Sequence, residues 1–214
     1  MQNQDWGDTV KQIRFNRTER SEKPRYIVVH TTGNTRKGAD AQAHFTYWNS
    51  GNVGQSADFV VDDTGVLQIN DYTKYYTWHC GDGKGKYGIT NGNSIGVEIC
   101  VNQDGDFEKA LDHAVVFIRK LKAETGIENV VRHYDASRKL CPAPLSDNDW
   151  EKWKELKRRI AEVEELISVN DIVWELADRG IVSDVALWLQ ELENDENIYW
   201  LARKCVRYLR GRGV

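Results

Sequence analysis

His30, His133 and Cys141 are the side chains in this sequence best suited to chemistry. Two imidazoles and a thiolate make a soft donor set that favours zinc. Three protein ligands leave a fourth position for water, as in catalytic sites, whereas structural zinc sites fill all four positions with protein. His30 closes the run Tyr26-Ile27-Val28-Val29, and His133 and Cys141 bracket a short segment ahead of Pro142. All three therefore fall at strand ends or in loops. The spacing alone does not decide the matter, because His30 is far along the chain from the other two, and histidines satisfied in a core or solvated at a surface would leave the same pattern.

The elements that must carry these ligands read as strands interleaved with helices. Tyr26 to Val29 is a buried β-strand of β-branched and aromatic residues. Thr31-Thr32-Gly33-Asn34 is a loop, and a helix runs from about Asp40 to Trp48, with Gly51 placed to stop it in the left-handed conformation. Phe59-Val60-Val61 and Val66 to Ile69, joined by Asp62-Asp63-Thr64-Gly65, form a hairpin. Trp78 to Asn93 is a glycine-rich surface loop. Ser94 to Val101 is a strand, Phe107 to Leu121 a helix closed by Gly126, and Ile127 to Val131 a strand delivering Arg132-His133. A helix from about Asp149 carries Trp153, Leu156, Ile160, Val163 and Ile167 on one stripe. Residues 1 to 24 read as a polar lead-in. The fold class is α/β: a mixed central β-sheet flanked by helices, since a hairpin within alternating strands and helices requires both strand directions.

The chain has 214 residues, 40% of them hydrophobic, enough for one good core and a small appendage. We expect a catalytic domain over 1–165 and a helical C-terminal module over 166–214. In the latter, Ile172, Val173 and Leu176, then Val185, Trp188 and Leu189, then Tyr199, Trp200, Val206 and Leu209 suggest two or three short helices punctuated by Gly180 and Ser183-Asp184. This tail is acidic until a basic finish of Arg203, Lys204, Arg207, Arg210 and Arg212. A net charge of -4 argues against gripping nucleic acid through its phosphates. No apolar run approaches the ~18 residues of a membrane span, so no membrane insertion is expected. Met1 to Asp8 lacks the basic and apolar regions of a secretory signal, which implies synthesis in the cytoplasm. Cys80, Cys100, Cys141 and Cys205 are too few and scattered for a disulfide framework, and Cys80 and Cys100 read as small buried hydrophobes.

The segments YIVVHTTGN, SIGVEIC and RHYDASRKLCP, in this order and at these separations, resemble the type 2 N-acetylmuramoyl-L-alanine amidases, the family of phage endolysins, bacterial autolysins and peptidoglycan-recognition proteins. The resemblance covers roughly residues 20 to 160 and implies a mixed sheet flanked by helices with zinc in a surface groove. His30, His133 and Cys141 match the zinc ligands, Glu98 the catalytic glutamate and Lys139 the catalytic lysine. The chemistry agrees with those roles. Zinc would polarise the scissile carbonyl and lower the pKa of water to about 7. Glu98 would serve as general base and then acid, and Lys139 would stabilise the oxyanion. Glu98 sits among Ile95, Val97 and Ile99, where a carboxylate must face a groove or find a partner; a surface ion pair is the plain alternative for both Glu98 and Lys139.

Many relatives carry a tyrosine, or another residue followed by histidine, where this chain has Ala57 and Asp58, which throws more weight on Glu98. Thr31, Trp78, His79, Asn93 and Asp58 are candidate substrate contacts. Trp78-His79 reads equally well as a packed aromatic with a surface histidine, Asn93 as a loop organiser, and Asp58 as a partner of a ligand or an idle strand carboxylate. His44 and His113 lie in helices and read as structural or solvated. The expected activity is hydrolysis of the amide between N-acetylmuramic acid and L-alanine in the bacterial cell wall, by a phage or prophage endolysin or a bacterial autolysin. A relative that binds peptidoglycan without cutting it is the alternative, although such relatives typically lack the cysteine. The His-x-Glu and Pro-Cys-x-x-Cys signatures of zinc deaminases are absent. The C-terminal helices are expected to target the wall or to self-associate as a homo-oligomer, with a stabilising appendage as the plain alternative.

Overall fold

A computed structural model of the chain describes residues 10–161, 169–194, 202, 205 and 206. The chain divides into two compact units, Met1–Glu162 and Val163–Val214. The first unit runs β1 (Arg17–Glu19), β2 (Tyr26–Thr31), α1 (Ala41–Trp48), β3 (Phe59–Asp62), β4 (Gly65–Gln68), β5 (Tyr75–Thr77) and β6 (Ser94–Ile99). It continues through α2 (Phe107–Thr125), β7 (Asn129–Arg132), α3 (His133–Ser137) and α4 (Asp147–Ala161).

Five strands form one sheet in the order β4-β3-β6-β2-β7. β2 is parallel to both β6 and β7, β3 is parallel to β6, and β3 and β4 make the antiparallel hairpin, so the sheet is mixed as expected. Side chains alternate between the two faces. Ile27 and Val29 of β2, Ile95, Val97 and Ile99 of β6, and Phe59 and Val61 of β3 turn to one side. There they pack against Leu111, Ala114, Ile118 and Leu121 of α2 and Trp153, Leu156 and Ile160 of α4. Each such buried side chain contributes about 1.5–3 kcal/mol, which makes this layer the main anchor of the sheet. Val28 faces the other way, into a smaller cluster with Cys80, Ile89 and Ala136, while Val60 joins Ala41, Trp48, Ala57 and Ile69. His30 and Glu98 share this second face, opposite each other in the β2–β6 register.

Local signals set the helix ends. The Asp40 side chain accepts the Ala43 N–H at the start of α1, and Asp106 accepts the Lys109 N–H at the start of α2. Gly126 closes α2 at φ 71°, as expected. Gly51 does not close α1: Asn49 ends it in a right-handed conformation, its N–H bonded to the Phe45 carbonyl. The polar lead-in holds more order than its composition suggests. Arg17–Glu19 pairs antiparallel with Tyr75–Thr77, and Ile13 is fully buried.

Asp58 is no surface carboxylate but a buried one. It is fully buried, with Oδ1 accepting from Asn70 Nδ2 at 2.7 Å and Oδ2 accepting from Thr77 Oγ1 at 3.0 Å and the Gly96 N–H at 2.7 Å. Burial raises its pKa against the pull of those donors. Asp58 thereby ties the end of β5 and the segment after β4 to the middle of β6.

In the second unit, α5 (Val169–Asp178) and α6 (Val185–Asn194) enclose a small apolar cluster of Ile172, Val173, Leu176 and Val182 with Ala202 and Val206. Trp174, Ile181 and Leu187 are exposed. Met1 to Asp8, Val163, Ile167, Tyr199, Trp200, Leu209 and the basic residues Arg203, Lys204, Arg207, Arg210 and Arg212 lie outside the described residues. Among the described residues no helix is long and apolar enough to cross a membrane.

Asp58→Ala strands three donors in the interior and is expected to lower stability by about 2–4 kcal/mol, read as the midpoint of urea unfolding. A shift worth less than about 0.5 kcal/mol would show that the donors re-pair.

Candidate metal centre

The sheet register brings the distant histidines together. Val29 of β2 lies opposite Arg132, the last residue of β7, so His133 emerges beside His30. The chain then turns into α3, whose start is held by Asp135: its carboxylate accepts the Arg132 N–H at 2.8 Å and grips the Arg132 guanidinium through both oxygens. That guanidinium stacks over Trp150, 4.3 Å from the ring centroid, and fixes the strand-to-helix corner. Arg138 ends α3 at φ 72°, and the chain doubles back until the Cys141 carbonyl accepts the Tyr134 N–H at 3.0 Å. Cys141 is thus bound to the first turn of the helix that begins with His133. The glycine-rich loop packs on the same helix so closely that a Cβ on Gly83 would lie 2.2 Å from the Ala136 carbonyl oxygen.

His30 Nδ1 stands 2.9 Å from His133 Nδ1, 3.9 Å from Cys141 Sγ and 4.0 Å from Glu98 Oε1. The ligand atoms of His30, His133 and Cys141 all lie within 4.8 Å of one another, and all three residues are buried, so the trio could hold a metal ion. Their electrostatics fit that use. Burial, reinforced by His79, His133 and Lys139, holds the His30 imidazole neutral, its pKa far below the ordinary histidine value. Burial pushes the Cys141 thiol up to about 12, so near neutral pH the thiolate forms only if a cation meets its charge. Burial also raises Glu98 to about 7, opposed by the Lys139 charge. Glu98 Oε2 is buried and has no hydrogen-bond partner among the described residues, an unsatisfied acceptor on the side chain that stands beside His30. Lys139 is exposed, with its charge felt by His30, Glu98 and Cys141.

The candidate substrate contacts fare differently. His79 is buried behind His30 rather than open to a ligand: its Nδ1 lies 3.0 Å from His30 Nε2, and its ring lies against the backbone of Gly96. The Asn93 side chain is consumed by its own loop, accepting the Thr90 N–H and donating to the Gly88 carbonyl. Thr31 is buried, with its carbonyl 4.0 Å from Cys141 Sγ. Trp78 is half-buried and donates its indole N–H to Thr18 Oγ1. Sequence reasoning missed the Arg132–Asp135 clamp, although an acidic residue three positions after a strand end is a helix-start signal. His44 accompanies Trp48 in the α1 layer and His113 Nδ1 meets the Asp62 carbonyl, both structural as expected.

Comparison with known proteins accords with this geometry. The N-acetylmuramoyl-L-alanine amidase family model matches residues 20–144. N-acetylmuramoyl-L-alanine amidase CwlH of Bacillus subtilis (strain 168) is 46% identical over 127 residues, covering 58% of this chain and 50% of the relative. Among solved structures, a mutant endolysin from Bacillus subtilis has a TM-score of 0.63 at 41% identity, covering 72% of this chain and 99% of that one. The catalytic domain of XlyA has a TM-score of 0.62 at 39% identity, covering 72% and 100%. The chain spans about half the length of the curated relatives it matches. Two histidines and a cysteine meet beside a largely buried glutamate, the family model matches residues 20–144, and the fold is that of these solved structures: the chain belongs to the N-acetylmuramoyl-L-alanine amidase family.

Proposed function

We propose that this chain is a zinc-dependent hydrolase of the amide between N-acetylmuramic acid and L-alanine in bacterial peptidoglycan, a cell-wall lytic enzyme of the endolysin type from a phage or prophage. The observation that carries the reading is the meeting of two imidazole nitrogens and a thiol beside a buried carboxylate with an unpartnered oxygen. His30, His133 and Cys141 would hold the ion. Zinc bond lengths at tetrahedral angles call for separations of about 3.3 Å between two nitrogens and about 3.6 Å between nitrogen and sulfur. Two of the three separations, 2.9 and 3.9 Å, lie within a few tenths of an ångström of these values, and the third does not exceed 4.8 Å.

Zinc bound there supplies Lewis acidity and brings the pKa of water to about 7. The Glu98 carboxylate takes the proton from the attacking water as the new C–O bond forms at the lactyl carbonyl. It returns that proton to the alanine nitrogen as the C–N bond breaks, so the amine leaves neutral. Lys139, exposed and with its charge felt by His30, Glu98 and Cys141, would stabilise the carbonyl oxygen as it becomes negative. Val163–Val214 we take to be a wall-targeting or self-association module, supported by the exposed Trp174, Ile181 and Leu187.

Chelation is expected to abolish release of stem peptide from purified walls, followed by mass spectrometry, and zinc to restore it. Cys141→Ser should cost at least about 100-fold in zinc affinity. Glu98→Ala should keep the metal and the fold while kcat drops by about 100- to 10,000-fold; full activity in that variant would remove the glutamate from the mechanism. Lys139→Ala should lower kcat about 100-fold with unchanged melting temperature.

The raised pKa of Glu98 makes a separate prediction for the metal-free protein. A folded-state pKa of about 7 above the ordinary value of 4.5 means that the folded chain holds this proton more tightly, so its stabilising contribution is complete below pH 4.5 and is lost as pH rises through 7. Glu98→Gln should therefore melt higher than the parent at pH 8, with the gain disappearing near pH 4.5. An equal difference at both pH values would contradict it. Removing 168–214 should abolish wall binding while soluble fragments are still cut if the module targets, or halve the solution mass if it self-associates; neither change would reduce the module to a stabilising appendage.

A further inference from the structure

The inference rests on the metal-site reading above and concerns a residue placed behind it. We infer that His79 is a positioning residue that fixes the tautomer and ring orientation of His30, so that the Nδ1 lone pair of His30 is presented to the cleft before any ion arrives.

The argument starts from the one group in the chain of contacts whose role is unambiguous. The Thr90 carbonyl can only accept, and the Ser94 hydroxyl donates to it in a short hydrogen bond. Cys80 Sγ, 3.7 Å from Ser94 Oγ, offers the hydroxyl proton only a weak second partner. With its proton committed to Thr90, Ser94 Oγ must accept from His79 Nε2 at 3.2 Å, so His79 carries its proton on Nε2. Its Nδ1 is then an acceptor, and the atom 3.0 Å away is His30 Nε2, which must donate. His30 is left with a bare Nδ1, the atom that faces His133, Cys141 and Glu98. Each proton position follows from the one before it.

The slot for His79 is built with equal care on its other sides. The N–H groups of His79 and Cys80 both donate to Asn91 Oδ1, at 3.0 and 2.7 Å, which pins the loop at the residue that must not slide. The ring lies on the bare backbone of Gly96 in the middle of β6, where a Cβ would come within 2.7 Å of the imidazole Cγ. Gly96 itself is held by Asp58. A histidine that merely filled space would not need oriented partners on both nitrogens. Metal-ligating histidines elsewhere commonly give their second nitrogen to a carboxylate, carbonyl or water, and loss of that partner typically weakens metal binding 10- to 100-fold; here a second histidine stands in that place.

The test uses the full-length chain. Zinc dissociation constants are measured by chelator competition for the parent, His79→Ala, His79→Gln and Gly96→Ala, and imidazole tautomers of the metal-free parent are read from long-range proton–nitrogen NMR spectra. The expected result is a 10- to 100-fold weaker zinc affinity for His79→Ala. A smaller loss is expected for His79→Gln, whose amide oxygen can still accept from His30, and a loss is expected for Gly96→Ala, where the new methyl displaces the ring. In the metal-free parent His30 should be the Nε2–H tautomer. If His79→Ala does not fold, the parent tautomer and the Gln variant still decide. A His30 proton on Nδ1 in the metal-free parent overturns the inference, as does zinc affinity in the folded variants within twofold of the parent. A parent that takes up no zinc overturns the metal-site reading itself, which the comparison among zinc-binding variants keeps separate.

Discussion

Three donors remote in sequence must converge on one small volume, and the parallel placement of β2 between β6 and β7 is what brings them there. β2 supplies His30, β6 puts Glu98 directly across from it, and β7 ends one residue before His133. Because strand side chains alternate, a slip of one residue in either pairing would turn His30 or Glu98 into the apolar layer under α2 and α4 and bring a valine or isoleucine to the cleft. The large core on the far face therefore does more than stabilise the sheet. Burying Ile27, Val29, Ile95, Val97 and Ile99 together is what specifies the register, and the register is what builds the site.

The same arrangement places unfavourable groups where they are useful. A glutamate with a buried oxygen lacking a partner costs stability near neutral pH in the metal-free chain, and a thiol pushed up to about 12 beside a neutral His30 marks a site that favours uncharged donors. The apolar layer on the opposite face and the Asp58 knot at the middle of β6 offset that cost. A cation among these donors would favour the thiolate, relieve the unpartnered carboxylate and give the neutral His30 imidazole a lone-pair acceptor, so metal uptake would couple to folding through those residues.

Much of this was legible in the residues. The β-branched runs around Val28 and Val97, the helical stripe from Phe107 to Leu121 and the hairpin signal at Asp63-Thr64-Gly65 all appear where their patterns place them. β1 and β5 escaped notice because three-residue polar strands have no periodicity of their own and form only through pairing with each other. α3 was missed because five residues are too few for a stripe, its boundaries set instead by the Arg132–Asp135 clamp and the left-handed Arg138. Gly51 looked like a helix stop, but Asn49 ends α1 first. The site residues divide in the same way. His30, His133 and Cys141 could be picked out by donor type, whereas residue type alone does not tell which side of a sheet a loop folds onto. For His79, Asn93 and Asp58 the sequence left supporting and substrate-binding readings open, and the structure places all three side chains in the interior.

The most direct test of the account is X-ray absorption spectroscopy at the zinc edge on the zinc-loaded, full-length protein. The account predicts one sulfur at about 2.3 Å, two imidazole nitrogens at about 2.0–2.1 Å and one further light atom, with the sulfur shell missing in Cys141→Ser. A spectrum with no sulfur shell, or one in which four protein ligands close the coordination sphere, would contradict it.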